Sequence, residues 1–277
     1  GGGVAGLAAG WELLRQGNTD FRIVELDRNV GGNAVSGEFE DKKYPWGAHS
    51  LPLPNLEYKD LLAFLEATGC ITGYEDGLPK YDELYLCHAP QERLLYHGVW
   101  QDGLVPRSRN KEDIAQINRF FHLIELYRAT RNEQGQYLFD IPLDRSWFFP
   151  EQYQLEQMTF AEWLAENEFT SEPLLWYLDY CCRDDFGALP KDTSAWAGLH
   201  YFAGRRGKAA NAEQNAVLAW PQGNGWLVDR LRERLVDHIE TGRMVLSLEN
   251  TATGIQALQY DPESEQSVRI LAEKAIC

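Results

Sequence analysis

The distribution of apolar and polar residues at the start of the chain predicts a helix followed by a strand. Residues 4–16 (VAGLAAGWELLRQ) predict a helix, which Gly17 is placed to end. Residues 21–25 (FRIVE) form a short apolar run that ends in an acid, which is typical of a buried parallel strand. Gly31-Gly32 then predicts a backbone turn. This beginning is typical of α/β proteins.

The rest of the chain is predicted to hold more helices, one antiparallel ribbon and a set of closing strands. Alternating stretches separated by turn residues predict the ribbon over 83–105. The predicted helices, with their capping residues, are 56–68 after Asn55, 110–127 opened by Asn110 and Asp113, 160–167 capped by Thr159 with Glu162, about 172–182, and 225–239. The predicted closing strands lie at 243–248, 252–260 and 267–276.

Composition and charge narrow the range of partners. The formal net charge of −16 disfavours nucleic acids and anionic membranes, because both reward clusters of Lys and Arg. No run of about 18 apolar residues is present, so no transmembrane segment is expected. Five cysteines without a C-x-x-C motif favour a reducing compartment, the cytoplasm, and predict neither a disulfide framework nor a metal site.

The first six residues satisfy the pattern G-x-G-x-x-G at Gly1, Gly3 and Gly6. In this pattern the glycines permit a tight turn, close approach of a pyrophosphate, and close packing of the following helix. Glu25 follows Gly6 by 19 residues, where an acid can hold a ribose hydroxyl. A glycine turn that serves packing alone is the alternative. The predicted cofactor contacts are Gly1, Gly3, Val4, Ala5, Gly6 and Glu25.

Residues 24–33 (VELDRNVGGN) resemble a superfamily of flavin enzymes that includes amine oxidases, phytoene desaturases and protoporphyrinogen oxidases. These enzymes place a Gly-Gly turn a few residues after the ribose acid. The resemblance implies that Gly31 and Gly32 present bare backbone beside the pyrophosphate of FAD. Asn33 stands where the family often has Arg, and this removes a cation from an anion site.

Two further stretches resemble the same superfamily. Residues 46–49 (WGAH) are similar to a segment beside the flavin ring, which implies Gly47 and Ala48 against the isoalloxazine and His49 near the substrate cavity. A His with a pKa near 6.5 can donate a hydrogen bond or exchange a proton there. Residues 220–227 (WPQGNGWL) resemble the stretch before the helix that returns to the nucleotide domain, which implies that Ala252 meets the adenine. A polar loop and an ordinary turn-helix stay open as alternatives.

The resemblance implies a fold, a cofactor and a reaction. The fold is α/β, with a Rossmann-like FAD-binding domain (a parallel sheet with a β ribbon) from 1–54 and 215–277, interleaved with a mixed, largely helical substrate domain at 55–214. The implied enzyme is an FAD-dependent oxidoreductase that oxidises a small organic substrate, first of all an amine, by hydride transfer to flavin. Oxygen or another acceptor then re-oxidises the flavin. The alternatives are a flavin-dependent desaturase or isomerase of an apolar substrate, a nicotinamide-dependent dehydrogenase, and a nucleotide-binding protein without turnover.

The remaining expectations concern the chain ends and two other clusters. Because the glycine turn follows a strand in this fold, and the family continues beyond the closing strands, we expect a fragment that lacks both ends. Cys181 and Cys182 are expected to pack on a helix. The basic residues at 204–208 (GRRGK) are expected to form a solvated loop, with a site for an acidic substrate as the alternative. No catalytic side chain other than His49 is indicated.

Overall fold

The computed structural model describes residues 1–87, 92–148, 152–213 and 216–277. The chain forms two compact units, one built from residues 1–51 with 219–277 (unit 1) and the other from residues 52–218 (unit 2). Residues 88–91, which belong to the predicted ribbon, lie outside the described residues. The assignment of a cofactor domain to 1–54 with 215–277, and of a substrate domain to 55–214, stays a prediction.

Unit 1 begins the chain and also ends it. Its first elements are α1 (Val4–Arg15), β1 (Ile23–Val24), a 3-10 turn (Gly32–Ala34), β2 (Ser36–Phe39), β3 (Lys42–Pro45) and β4 (Ser50–Pro52), the last of which runs into unit 2.

Unit 2 is mainly helical and carries three short β pairings. Its elements are α2 (Lys59–Ala67), β5 (Ile71–Glu75), β6 (Leu78–Tyr81), β7 (Leu86–Cys87), β8 (Arg93–Tyr96), β9 (Val99–Asp102), α3 (Lys111–Ala129), a 3-10 turn (Leu143–Arg145), α4 (Gln152–Gln157), α5 (Phe160–Glu166), α6 (Glu172–Phe186), α7 (Ala195–Ala203) and β10 (Val217–Ala219). Strands β5 and β6 form one hairpin, β8 and β9 form another, and β10 pairs with β7.

The chain then returns to unit 1 and completes it. The closing elements are α8 (Gly225–Arg232), a 3-10 turn (Val236–His238), β11 (Ile239–Glu240), β12 (Met244–Thr251), β13 (Gly254–Asp261) and β14 (Gln266–Ala272). Strand β1 pairs in parallel with β11, and Ile23 lies opposite Ile239. Strands β12, β13 and β14 form an antiparallel meander. Residues from both ends of the sequence therefore build unit 1.

The core of unit 2 is aromatic and lies between α3, α5, α6 and α7. Phe120 is fully buried and makes edge-to-face contacts with Phe169 and Phe202. Such pairs contribute about 0.5–1.5 kcal/mol beyond the area that they bury. The aromatic residues of 143–207 thus form the packed centre of the helical unit.

All six helix predictions are confirmed, with two differences in detail. Asn55 does not cap α2, because the helix begins only after Tyr58 and the Asn55 side chain binds Asp140 instead. Helix α8 ends at Arg232, earlier than predicted, and a 3-10 turn follows a few residues later. Among the described residues, no helix is both long enough and apolar enough to cross a bilayer.

Candidate functional site

The glycine turn at the start of the chain leads directly into α1. The first intrahelical hydrogen bond runs from the Leu7 N–H to the Gly3 carbonyl (3.0 Å). The N–H groups of Val4, Ala5 and Gly6 therefore lie at the open, partly positive end of the helix, where they can receive an anion. Val4 and Ala5 are exposed there.

Gly6 and Gly3 are required for different reasons. A Cβ on Gly6 would lie 1.9 Å from the carbonyl oxygen of Gly1, so this position has no room for a side chain. A Cβ on Gly3 would meet no atom within 4 Å, and the Gly3 backbone is extended (φ −67°, ψ 175°), a conformation open to any residue. The protein's own packing therefore explains Gly6. It does not explain Gly3, which borders open space.

Glu25 lies at the glycine turn, just after β1. Its Oε2 accepts a hydrogen bond from the Gly2 N–H, and its Oε1 accepts one from the Asp27 N–H (2.8 Å). These bonds use two of the roughly four lone-pair sites of a carboxylate, so further acceptor capacity remains. The acid predicted from spacing is thus fixed beside the turn.

The second turn, Gly31-Gly32, contacts the first. The Gly31 N–H donates to the Gly2 carbonyl (2.8 Å), and Gly3 and Gly31 form a parallel bridge. Gly31 and Gly32 have φ values of +127° and +54°, in the region that favours glycine. The two glycine turns and the Glu25 carboxylate therefore form one cluster, called here the double glycine turn, in which Gly2 and Gly31 are buried and Gly1 and Gly32 are exposed.

Residues 47–49 lie next to this cluster. The Ala48 N–H donates to the carbonyl of Asn33 (3.2 Å), which follows Gly32 in the chain. His49 is exposed, and its Nδ1 lies 3.3 Å from the Gly47 carbonyl oxygen. The structure thus brings the predicted residues of segments 1–6, 25, 31–33 and 47–49 into one connected region of unit 1.

Among the described residues, no hydrogen bond connects Ala252 to this region. It lies exposed in the two-residue turn between β12 and β13. A role for Ala252 at the adenine stays a prediction.

Sequence reasoning missed Asn224, which precedes α8. Its backbone N–H donates to the Ala48 carbonyl (3.0 Å), and its side-chain Nδ2 donates to the Ser50 carbonyl (3.1 Å). The signal available in the sequence was an Asn between two glycines in the stretch 220–227. Nothing in that stretch indicated which segment the Asn would contact.

A cavity of about 190 Å³ borders the second glycine turn on residues of β2, β3 and α8. It holds charged groups of both signs, and the ammonium of Lys43 lies 3.5 Å from Asp229. Ligand pockets usually measure about 300 Å³ or more. This cavity is therefore too small for a dinucleotide. The surface at Gly3 is open, so no enclosing wall restricts the size of a ligand there.

The two clusters predicted in unit 2 have different outcomes. Cys181 and Cys182 are buried on α6 as predicted, and burial raises the pKa of their thiols to about 12 and about 11. They are inert thiols at neutral pH. The solvated-loop prediction is wrong for Arg206, which is buried and paired with Asp140. Arg205 pairs with Asp185 near the surface.

The model of the family described as flavin containing amine oxidoreductase matches residues 4–277. The chain belongs to this family. Membership confirms the resemblance inferred from the two glycine turns, the oxidoreductase class of the family, and FAD as its cofactor. No curated protein matches the sequence.

Solved structures confirm the α/β fold of this family. A triple mutant of putrescine oxidase is 18% identical with a TM-score of 0.68, and the match covers 99% of this chain and 55% of that one. Cyclohexylamine oxidase from Brevibacterium oxydans IH-35A is 19% identical with a TM-score of 0.63, covering 98% and 55%. A CLA-producing fatty acid isomerase from P. acnes is 17% identical with a TM-score of 0.58, covering 97% and 55%. The chain spans about half the length of these proteins.

Proposed function

We propose that this chain binds FAD at the double glycine turn and belongs to an enzyme that oxidises a small amine. The observation that carries the proposal is the open space at Gly3 beside the free N–H groups of α1. A position that packing leaves open, next to anion-binding groups, fits a pyrophosphate. The amine follows from the likeness to putrescine oxidase and cyclohexylamine oxidase.

Each predicted residue at or beside the double glycine turn has a role in this proposal. Gly1, Gly3, Val4, Ala5 and Gly6 would hold the pyrophosphate. Glu25 would accept the ribose hydroxyls with its remaining lone pairs while it keeps the Gly2 N–H. Gly31, Gly32 and Asn33 would border the pyrophosphate, with an uncharged Asn33 in place of a cation. Gly47 and Ala48 would lie against the isoalloxazine, and His49 would face the substrate cavity.

The flavin, when bound, supplies the redox chemistry by accepting a hydride from the substrate and passing the electrons to oxygen or another acceptor. The protein's own residues bind it and fix its position. His49 is exposed, so it could exchange a proton with the substrate without a large cost of desolvation. We also propose a cytoplasmic location, because all five cysteines are free thiols.

The likeness to a fatty acid isomerase keeps a second reaction under test, isomerisation of an apolar substrate. Anaerobic mixing of the FAD-loaded chain with an alkylamine and with an unsaturated fatty acid separates the two. Bleaching of the visible flavin bands by the amine supports amine oxidation. Conversion of the fatty acid without net bleaching would favour the isomerase instead.

Binding at the double glycine turn is tested by the Gly3→Val variant. We expect the chain without cofactor to keep its melting temperature, because Gly3 borders open space in an extended conformation. We expect FAD binding to be lost, because the branched side chain would fill the pyrophosphate position. Flavin fluorescence titration measures binding, and circular dichroism measures melting.

Gly6→Ala is the matched control. Its Cβ clashes with the Gly1 carbonyl, so the melting temperature should fall even without cofactor. Full flavin occupancy in Gly3→Val would refute the site. Absence of FAD binding by the unmodified chain would refute the proposal as a whole.

A further inference from the structure

Both backbone groups of Ala48 form hydrogen bonds with the backbone of asparagines. Its N–H donates to the Asn33 carbonyl (3.2 Å), and its carbonyl accepts from the Asn224 N–H (3.0 Å). The Asn224 side chain adds a third bond, from Nδ2 to the Ser50 carbonyl (3.1 Å). Asn224 therefore ties the start of α8 to residues 48–50 at two points.

The Asn224 side chain is not used to cap its own helix. An Asn at this position usually accepts a hydrogen bond from the N–H of the second or third helical residue. Here the side chain makes no capping bond, and only the Asn224 backbone carbonyl accepts, from the N–H groups of Leu227 (3.0 Å) and Val228 (3.2 Å). The amide group is thus directed to residues 48–50 and not to α8.

The packing around Asn224 leaves little freedom for this contact. A Cβ on the preceding Gly223 would lie 2.5 Å from the Pro45 Cβ and 2.9 Å from the Ala48 carbonyl oxygen. The Oδ1 of Asn224 is buried and has no hydrogen-bond partner among the residues that the structure describes. A buried acceptor without a partner is unfavourable. The side chain nevertheless keeps this orientation, in which its donor reaches Ser50.

We propose that Asn224 is a positioning residue for the flavin ring. It acts through Ala48 and Ser50, whose backbone it fixes, and does not itself touch the cofactor. The inference rests on the proposed function, in which Gly47 and Ala48 lie against the isoalloxazine. Loss of the Nδ2 bond would release Ser50 from α8, while the backbone bond from Asn224 to Ala48 and the pyrophosphate contacts at Gly3 would stay in place.

The test compares Asn224→Leu with Asn110→Leu. Leu is close to Asn in size and removes the side-chain donor while it keeps the backbone N–H. Asn110 is the matched control, because it belongs to unit 2 and caps α3 through the Glu112 N–H (2.9 Å). Both variants should lower the melting temperature of the chain without cofactor, since each loses a hydrogen bond.

The expected result separates positioning from stability. Asn224→Leu should weaken FAD binding about five- to tenfold, the effect of one hydrogen bond, and should shift the visible absorption and circular dichroism of the bound flavin. Asn110→Leu should change neither. If Asn224→Leu fails to fold, Asn224→Asp takes its place, because it keeps the size and puts an oxygen opposite the Ser50 carbonyl.

Two outcomes would overturn the inference, and they are distinguishable. An unmodified chain that binds no FAD refutes the proposed function, and the inference falls with it. If the unmodified chain binds FAD, and the two Leu variants have the same flavin spectra and the same affinity for FAD, the positioning role alone is refuted.

Discussion

Arg206 and Asp140 form an ion pair in the interior of unit 2. The Arg206 Nη2 lies 2.5 Å from the Asp140 Oδ1, and the two side chains are 8% and 4% exposed. The guanidinium also donates to the Phe139 carbonyl (2.6 Å) and lies 3.5 Å from the centroid of the Tyr137 ring. Asn55 supports the pair by donating to the same carboxylate (3.0 Å). At such burial each charge depends on the other.

Asp140→Ala should therefore lower the free energy of unfolding by about 3–5 kcal/mol, because it removes the buried carboxylate from Arg206, whose other carboxylate neighbour, Glu57, lies 4.0 Å away and is more exposed. Urea denaturation followed by tryptophan fluorescence measures the change. Glu75→Ala is the control, since its ion pair with Lys80 is exposed and should contribute little. Equal losses in the two variants would contradict the account of the buried pair.

His200 is a second residue whose charge state is linked to folding. Its Nε2 lies 2.7 Å from the Asp140 carbonyl, and its ring stacks on Trp196. Burial is the main cause that lowers the pKa of His200 below its usual value of 6.5. Below about pH 6.5 the unfolded chain takes up a proton that the folded chain excludes, so stability falls as the pH falls.

This predicts a loss of unfolding free energy between about pH 7.5 and 5.5 that is smaller in His200→Gln. Thermal or urea unfolding at several pH values measures it. His122→Gln is the control, because His122 is exposed on α3. The same pH dependence in the unmodified protein and in His200→Gln would remove His200 as its source.

Single residues differ in how far the sequence could predict their positions. Glu25 was predictable from its spacing after the glycine turn, and Gly31 from the resemblance of residues 24–33 to the flavin superfamily. Arg206 was not, because its partner Asp140 is far away in the chain and no local pattern links them. Its surroundings in the sequence, two arginines between glycines with a lysine directly after them, resemble an exposed loop.

Helices α3 and α5 were predicted together with their capping residues, whereas α7, which Ser194 caps, was not predicted. Thr159 and Glu162 form a complete capping box at α5, as their spacing indicated. The hairpins β2–β3 and β5–β6 were not predicted, because their short strands, such as SGEF and KKYP, lack alternating apolar and polar residues. Backbone pairing, which has little dependence on sequence, defines them.

The capping box gives a prediction at the scale of this element. Thr159→Ala should destabilise unit 2 by about 1 kcal/mol, because the Glu162 N–H loses its acceptor. Thr159→Ser should retain most of the stability, since it keeps the hydroxyl. Chemical denaturation of the three proteins measures the difference, and an Ala variant as stable as the Ser variant would argue against the cap.

At the scale of the whole molecule, the sequence indicated a parallel strand at 21–25 but not its neighbour. Parallel pairing has no local signal comparable to a hairpin turn, so β11 could not be identified as the partner of β1. The fold was predicted instead from the two glycine turns, through their resemblance to the flavin superfamily. The middle of the chain shares few recognisable motifs, and there the aromatic core had to be read from the structure.

The pairing of Ile23 with Ile239 has a consequence for the order in which the two units fold during synthesis. During synthesis residues 52–218 emerge as one continuous stretch, whereas β1 cannot pair until β11, which follows unit 2 in the sequence, has been synthesised. We therefore expect unit 2 to fold on the ribosome before unit 1. A chain stopped after residue 218 should give a protease-resistant core from unit 2 and lose residues 1–51 to digestion. Equal protection of both regions would mean that the amino-terminal segment folds without its late partner.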